Sequence, residues 1–309
     1  MSLSNKMTNV LKFPEFSSIS VSTKTYTATT NLVIDIKKLY ESIPITPYLV
    51  VPKKRGRKRK GDVIDPNKNI SPGSIITVKC EGEIRGVELK PKKKKIGKKK
   101  KWFRNSITVV IILDKPINFK VCRNGTFQMT GCKRHEHAEL CVKYLWNFMK
   151  QDPSVYEFTR GKNLEVLFIP SMRNIDFSLG FLVDRSKLNK FMSTQKDFHC
   201  LLETSFGYTG VNIKIPLADD IRTMEIKKLT NSGDRWRSRW TTYDEYLNLL
   251  TEKERAAKLK AKRYNTFLVF HSGQVIHSGL TRKFMEPVYE YFTKLISKGY
   301  SQIEERLVT

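Results

Sequence analysis

The side chains of this chain most suited to chemistry are cations, and they come in runs. Lys53-Lys54-Arg55-Gly56-Arg57-Lys58-Arg59-Lys60 holds seven basic residues, Lys90 to Lys101 holds nine, and neither run contains an acid. Runs of this kind neutralise phosphates and release counterions, so binding through them depends on salt. The plain alternative is a solvated loop that binds nothing. Subtracting both runs from the formal net charge of +27 leaves +11, so the remainder is still basic and a polyanion is the expected partner. The first run also fits a nuclear import signal or a minor-groove arm. It lacks the Arg-Gly-Arg-Pro core of such an arm, because Lys58 stands where the proline would be.

Two further clusters invite chemistry. Arg235-Trp236-Arg237-Ser238-Arg239-Trp240 interleaves cations with aromatics, a pattern that stacks on bases or, equally, anchors a loop on a core through its indoles. Cys132, His135, His137 and Cys141 have spacing that suggests a metal site. Cys141 falls in an apolar helical stripe, however, so core packing is the better reading. No nucleotide-binding, nucleophile-elbow or paired-carboxylate motif is evident, so neither an enzyme nor a cofactor is expected. Five cysteines without a CxxC pair argue for a reducing, intracellular compartment. No stretch approaches the ~20 apolar residues of a membrane span, and no secretory signal is evident.

The elements that must position these residues occur twice. Asn124-Gly125 through Thr130-Gly131 is echoed by Ser272-Gly273 through Ser278-Gly279, and Asp35-Ile36-Lys37-Lys38-Leu39 by Asp184-Arg185-Ser186-Lys187-Leu188. Both echoes lie 148 or 149 positions apart. Each copy reads as strand, short helix, strands, hairpin and long helix. In the first copy a strand over 20–32 precedes a helix opening at Asp35, which ends at Pro44 and Pro47. Strands over 107–113, 117–122 and 126–130 follow, with Asn124-Gly125 as a hairpin turn. A helix over 134–150 closes the copy. In the second copy, 164–168 and 175–183 read as extended and a helix starts at Asp184. Strands over 264–270 and 274–278 flank Ser272-Gly273, and a helix over 282–297 carries Pro287 in its tolerant first turn. A weaker echo pairs Gly86-Val87-Glu88-Leu89-Lys90 with Gly210-Val211-Asn212-Ile213-Lys214. The domain reading is a tail over 1–18, copies over 19–150 and 151–297, and a tail over 298–309. The first copy carries a basic insertion over about 45–101. The second carries one over about 217–263, with a helix over 243–262 capped by Thr242.

Duplicated antiparallel strands with one long helix, and Thr/Ser-Gly closing each hairpin, resemble the TATA-box-binding-protein family. The likeness is greatest to its divergent members in large nucleocytoplasmic DNA viruses. The residues that carry it are Phe103-Arg104-Asn105-Ser106-Ile107-Thr108, Asn124-Gly125 with Gln128-Met129-Thr130-Gly131-Cys132-Lys133, and Phe267-Leu268-Val269-Phe270-His271-Ser272-Gly273 with Ser278-Gly279. The resemblance implies an α+β saddle of two pseudo-symmetric, curved antiparallel sheets with helices on the convex face. It implies a monomer that binds double-stranded DNA in the minor groove and bends it in transcription initiation, and that offers its helices to other initiation factors or RNA polymerase. It implies a viral factory, a host nucleus or the virion as its location. The alternative is a basic scaffold on the same fold without TATA recognition.

Carried over by position, the resemblance gives Thr130 and Ser278 a place in the groove and makes Phe270 a wedge between base pairs. Tyr208, or in competition Phe198, would be its partner wedge. Phe127, Val275, Lys133 and Arg282 join the expected DNA contacts. Lys53, Lys54, Arg55, Arg57, Lys58, Arg59 and Lys60 are the expected phosphate contacts. The first copy's wedge positions fall near Cys122 and Ile84. The family's base-reading Asn falls near Thr23 and Pro170, and its post-glycine Lys is here Thr126 and Gln274, which puts recognition of a standard TATA element in doubt.

Overall fold

The computed structural model describes residues 11–50, 66–89, 103–202 and 210–305. The first half of the chain forms β1 (Val21–Thr30), β2 (Leu32–Ile34), α1 (Ile36–Ser42), β3 (Ile75–Cys80), β4 (Glu83–Gly86), β5 (Ser106–Ile112), β6 (Pro116–Cys122), β7 (Thr126–Cys132) and α2 (His135–Met149). The second half forms β8 (Tyr156–Phe158), β9 (Leu164–Ser178), α3 (Arg185–Ser193), β10 (His199–Leu202), β11 (Gly210–Pro216), β12 (Glu225–Ser232), β13 (Arg235–Thr242), α4 (Tyr243–Leu247), α5 (Glu252–Lys260), β14 (Tyr264–Phe270), β15 (Gln274–Gly279) and α6 (Arg282–Ile303). The fold class is α+β.

The chain divides into two compact units. The first comprises Lys24–Ile169 and Glu225–Thr241; the second comprises Met1–Thr23, Pro170–Met224 and Thr242–Thr309. The division thus falls inside β1 and β9 rather than near residue 150. It also gives the first unit a stretch that the sequence reading assigned to the second copy.

In the first unit the strands are ordered β4-β3-β5-β6-β7-β1, all antiparallel. In the second the order is β10-β11-β14-β15-β9, again antiparallel. Each unit therefore sets the strand before its short helix beside the strand after its hairpin turn. The weak echo between Gly86 and Gly210 does not follow this order. β11 lies beside β14 as β5 lies beside β6, whereas Gly86 ends β4 at the sheet edge. A glycine followed by a valine is too short a signal to fix register.

The turn contacts recur closely. Gly125 and Gly273 have φ of +69° and +77°, and a Cβ on either would lie 2.2 Å from the carbonyl oxygen of Leu32 or Phe181. The carbonyls of these glycines accept from the backbone N–H groups of Thr30 and Leu179, at 3.1 and 2.9 Å. Asp35 and Asp184 cap α1 and α3 by accepting from Lys37 and Lys38, and from Lys187. These are the positions at which the sequence echoes lie, so the echo records where a chain must fold back against a carbonyl.

Period-two alternation sends one face of each sheet into a core. In the first unit Tyr26, Ala28, Ile107, Val109, Phe119, Val121, Phe127 and Met129 pack with Ala138, Cys141, Val142 and Leu145 of α2. In the second, Phe177, Val211, Ile213, Phe267, Val269 and Val275 pack with Leu188 and Met192 of α3 and with Met285, Phe292 and Ile296 of α6.

The insertion over 217–263 folds differently from expectation. β12 and β13 form a hairpin turned at Gly233 (φ +61°), and β12 pairs with Leu164–Phe168 of β9. Trp146 Nε1 of α2 donates to Asn231 Oδ1 at 2.8 Å, and Trp236 packs against the first core. The single helix expected over 243–262 is two. α4 stops, and Thr251 starts α5 with a capping box to Glu254. Thr242 precedes α4 without a side-chain cap. α5 buries none of its residues, so tertiary contact did not require one continuous stripe. α6 runs to Ile303, past the expected end at 297, because Gly299 packs beneath the Phe191 ring and Ile303 is buried. No helix among the described residues is long and apolar enough to cross a membrane.

Candidate nucleic-acid interface

The helices lie on one face of each sheet, and the outward side chains of the opposite face line up in cross-strand rows. In the first unit Thr108, Lys120, Gln128 and Thr27 are successive partners across β5, β6, β7 and β1. Asn118 stands opposite Thr130 in the next row. Asn118, Gln128 and Thr130 are exposed, whereas Thr27, Thr108 and Lys120 are half-buried. Lys120 Nζ lies 4.3 Å from the centre of the Phe103 ring, which is 74% exposed. A β-bulge between Lys24 and Tyr26 interrupts the register of β1 beside Thr130.

In the second unit Lys214, Thr266, Ser278 and Asn174 form one row across β11, β14, β15 and β9. Asn212, Leu268, Ile276 and Asp176 form the next. Asn174 Oδ1 is buried and has no hydrogen-bond partner, and Asn212 Oδ1 is the same. Phe270 ends β14 opposite Gly210 and is half-buried. The rows consist mostly of Thr, Ser, Asn and Gln, with Lys120, Lys214, Leu268, Ile276 and the acid Asp176 among them. Such side chains are short enough for a flat surface to approach the sheet and polar enough to bond to it.

Several expected site residues lie elsewhere. Phe127 and Val275, expected as DNA contacts, point to the helix side and are 2% and 1% exposed, so they pack in the cores. Alternation decides this, since each directly precedes or follows an outward residue. Phe198 is also buried, against Tyr291 of α6, and is not a wedge. Arg282 is exposed at the start of α6, with Nε and Nη2 donating to Glu286 at 3.0 and 2.9 Å. Lys133 is exposed beyond β7, and its backbone N–H donates to His137 Nδ1. Thr130 and Ser278 stand on the outward faces. Ile84 is exposed on β4 and Cys122 half-buried opposite Ser106. Tyr208, the run from Lys53 to Lys60 and the run from Lys90 to Lys101 lie outside the described residues.

Sequence reading missed Asn118, Lys120, Thr266, Lys214 and Asn174. Strict alternation along Pro116–Cys122 would have found the first two. For Asn174 no local signal suffices. It is Asn174, not Pro170, that stands opposite Ser278, because β9 continues unbroken from Leu164 to Ser178.

The groups that suggested a metal site are occupied in other ways. Burial pushes the Cys132 thiol up to about 11 and raises the Cys141 thiol well above its ordinary value, and both sit in the first core. His137 Nε2 lies 3.2 Å from Asp114, and His135 packs edge-on against Tyr26. Among the described residues no three His, Cys, Asp or Glu side chains converge. His277, inside the second core, stacks on Phe267 at 4.1 Å, and burial pushes its pKa down to about 3.

No family model matches the chain. Two viral proteins do. The chain is 32% identical over 146 residues to a TATA-box-binding protein-like protein of Acanthamoeba polyphaga mimivirus, an alignment that covers 38% of this chain and 39% of that protein. The chain is related to TATA-box-binding-protein-like proteins. It is also 30% identical over 214 residues to the uncharacterized protein 335L of Invertebrate iridescent virus 6, covering 66% of this chain and 63% of that one. The chain thus spans less than two thirds of the length of either relative. Among solved structures, the TATA-box-binding protein of Methanococcus jannaschii aligns over 92% of this chain and 99% of its own, at 12% identity and a TM-score of 0.43. The open sheet faces are the surfaces whose chemistry the fold leaves available.

Proposed function

We propose that this chain binds double-stranded DNA in the minor groove through the helix-free faces of its sheets, and bends promoter DNA in transcription initiation. One observation carries the reading: registered cross-strand rows of mostly polar side chains, with half-buried Phe270 at a strand end opposite a glycine. Hydroxyl and amide side chains of that size reach base edges in a widened groove, and an apolar wedge unstacks a base step. We read the matching turn contacts of the two units as a duplicated element whose two faces meet related halves of one duplex. The lysine-rich runs supply salt-dependent attraction to phosphate. Other initiation factors or RNA polymerase are the proposed partners, and no turnover is expected.

The test is binding of labelled duplexes with A·T-rich and G·C-rich centres across a salt series, with bending read by energy transfer between the duplex ends. Preference for A·T with bending supports the reading, as A·T-rich steps deform at least cost. Phe270→Ala should reduce the bend with little change in melting temperature. An unchanged bend with a lower melting temperature would return Phe270 to the core. A second reading, a basic scaffold without sequence preference, is favoured by Asp176, an exposed acid within a central row. Equal, steeply salt-dependent binding to both duplexes would establish it.

A further inference from the structure

β13 is a sheet edge. Among the described strands it pairs only with β12, and at eight residues it is twice the length of the edge strands β4 and β10. Trp236 and Trp240 lie on its α2 side. Trp236 packs on the first core with Lys143 Nζ 5.6 Å from its ring, and Trp240 lies 5.5 Å from His135 with Lys227 Nζ 5.8 Å from its ring. Its odd-numbered residues therefore point the other way, and Arg235, Arg237 and Arg239 are all exposed. Neither Arg235 nor Arg237 forms an ion pair with a described residue, and β13 contains no acid. Alternate residues of a strand repeat about every 6.7 Å. An extended segment laid alongside repeats its own side chains at that interval, so an acid at every second position meets an arginine at each step.

We propose that the open edge of β13 is a docking site for an extended acidic segment of a partner protein. The segment adds a strand to the β12–β13 hairpin, with its carboxylates opposite Arg235 and Arg237. Main-chain hydrogen bonds supply the affinity and the arginine row selects the partner. The row also does what any edge charge does, which is to deter unselected strands. Positive charge deters basic strands and admits acidic ones. Trp236 is half-buried against α2, whereas Trp240 is 62% exposed beside His135 and Lys227, so single-stranded nucleic acid is the competing occupant that the oligothymidylate arm below tests. The inference is independent of the DNA reading.

The test uses the full chain and a fluorescein-labelled peptide of the length of β13 that alternates Glu with Thr. Because the chain carries lysine runs that attract any acidic peptide, the controls separate strand addition from charge. One control peptide keeps every Glu but is N-methylated along one edge; another replaces Glu by Lys. The expected result is that N-methylation and the double substitution Arg235→Glu with Arg237→Glu each weaken anisotropy-detected binding by about tenfold or more. The Lys peptide should not bind, and oligothymidylate should not displace the acidic peptide. The double variant should melt like the parent, since both side chains are exposed. Equal binding of the N-methylated peptide would reduce the site to bulk charge. Equal binding by the double variant, or no binding at all, would leave the arginines as edge guards. Displacement by oligothymidylate would make the surface a nucleic-acid site.

Discussion

Replacing Glu139 by Gln should loosen the β12–β13 hairpin from α2, and the structure sets the size of the effect. Glu139 is 7% exposed. Its carboxylate lies 2.5 Å from Lys227 Nζ of β12, 3.2 Å from His135 Nε2 and 3.7 Å from Lys143 Nζ. Burial alone would raise its pKa, but the adjacent His135 and the hydrogen-bonded Lys227 outweigh burial and hold it down to about 2, from an ordinary value of 4.5. That difference corresponds to about 3 kcal/mol of stability at neutral pH. Since the folded-state value is the lower one, the contribution is complete above pH 4.5 and is lost as pH falls towards 2, with about 1 kcal/mol remaining at pH 3. Glutamine keeps the shape but not the charge, and it leaves Lys227 facing a neutral amide at a site only 19% exposed. The assay is urea unfolding followed by tryptophan fluorescence, which reports on Trp146, Trp236 and Trp240 at this contact. At pH 7 the variant should be less stable by about 3 kcal/mol, and at pH 3 by about 1 kcal/mol. A gap that is the same at both pH values, or absent at pH 7, would refute the argument, because other carboxylates titrate equally in both proteins and cancel.

Other perturbations have equally definite outcomes. Phe127→Ala should cost roughly 3–5 kcal/mol in unfolding free energy while leaving duplex affinity intact at low temperature; lost affinity at parental stability would put Phe127 back on the binding face. Gly273→Ala should cost about 1–3 kcal/mol, because its φ is left-handed and the Phe181 carbonyl occupies the space; a parental melting temperature would contradict that geometry. His277 stays neutral in the folded protein to about pH 3, whereas the unfolded chain protonates it near 6.5. Stability is therefore unaffected by this group above pH 6.5 and falls below it by up to about 1.4 kcal/mol per pH unit. An imidazole resonance of His277 that titrates near 6.5 in the native protein would overturn this.

Much of the frame was legible because local chemistry enforces it. Asp35 and Asp184 cap helices wherever such a residue precedes an amphipathic turn. Gly125 and Gly273 mark turns because only glycine accepts their φ and the carbonyl packed against them. Apolar periodicity found α2 and α6. The errors came where faces had to be assigned. Phe127, Val275 and Phe198 were placed on the interface by position in a motif, although alternation with their neighbours puts the first two inside. The β12–β13 hairpin was missed because its strands, Glu225–Ser232 and Arg235–Thr242, are too charged to read as sheet.

Sequence by itself determined the paired hairpins, the capped helices and the basic charge. Each is set by residues close together in the chain, where a steric or hydrogen-bonding rule acts without knowledge of the rest. Only tertiary structure decided that Asn174 stands opposite Ser278, that Phe270 faces Gly210, and that a hairpin from the second half of the chain closes over α2 of the first. Those facts depend on register and on contacts between residues 60 to 104 positions apart, such as Phe270 with Gly210, Trp146 with Asn231 and Asn174 with Ser278. Register follows from the sum of many buried contacts, and no local pattern carries that sum.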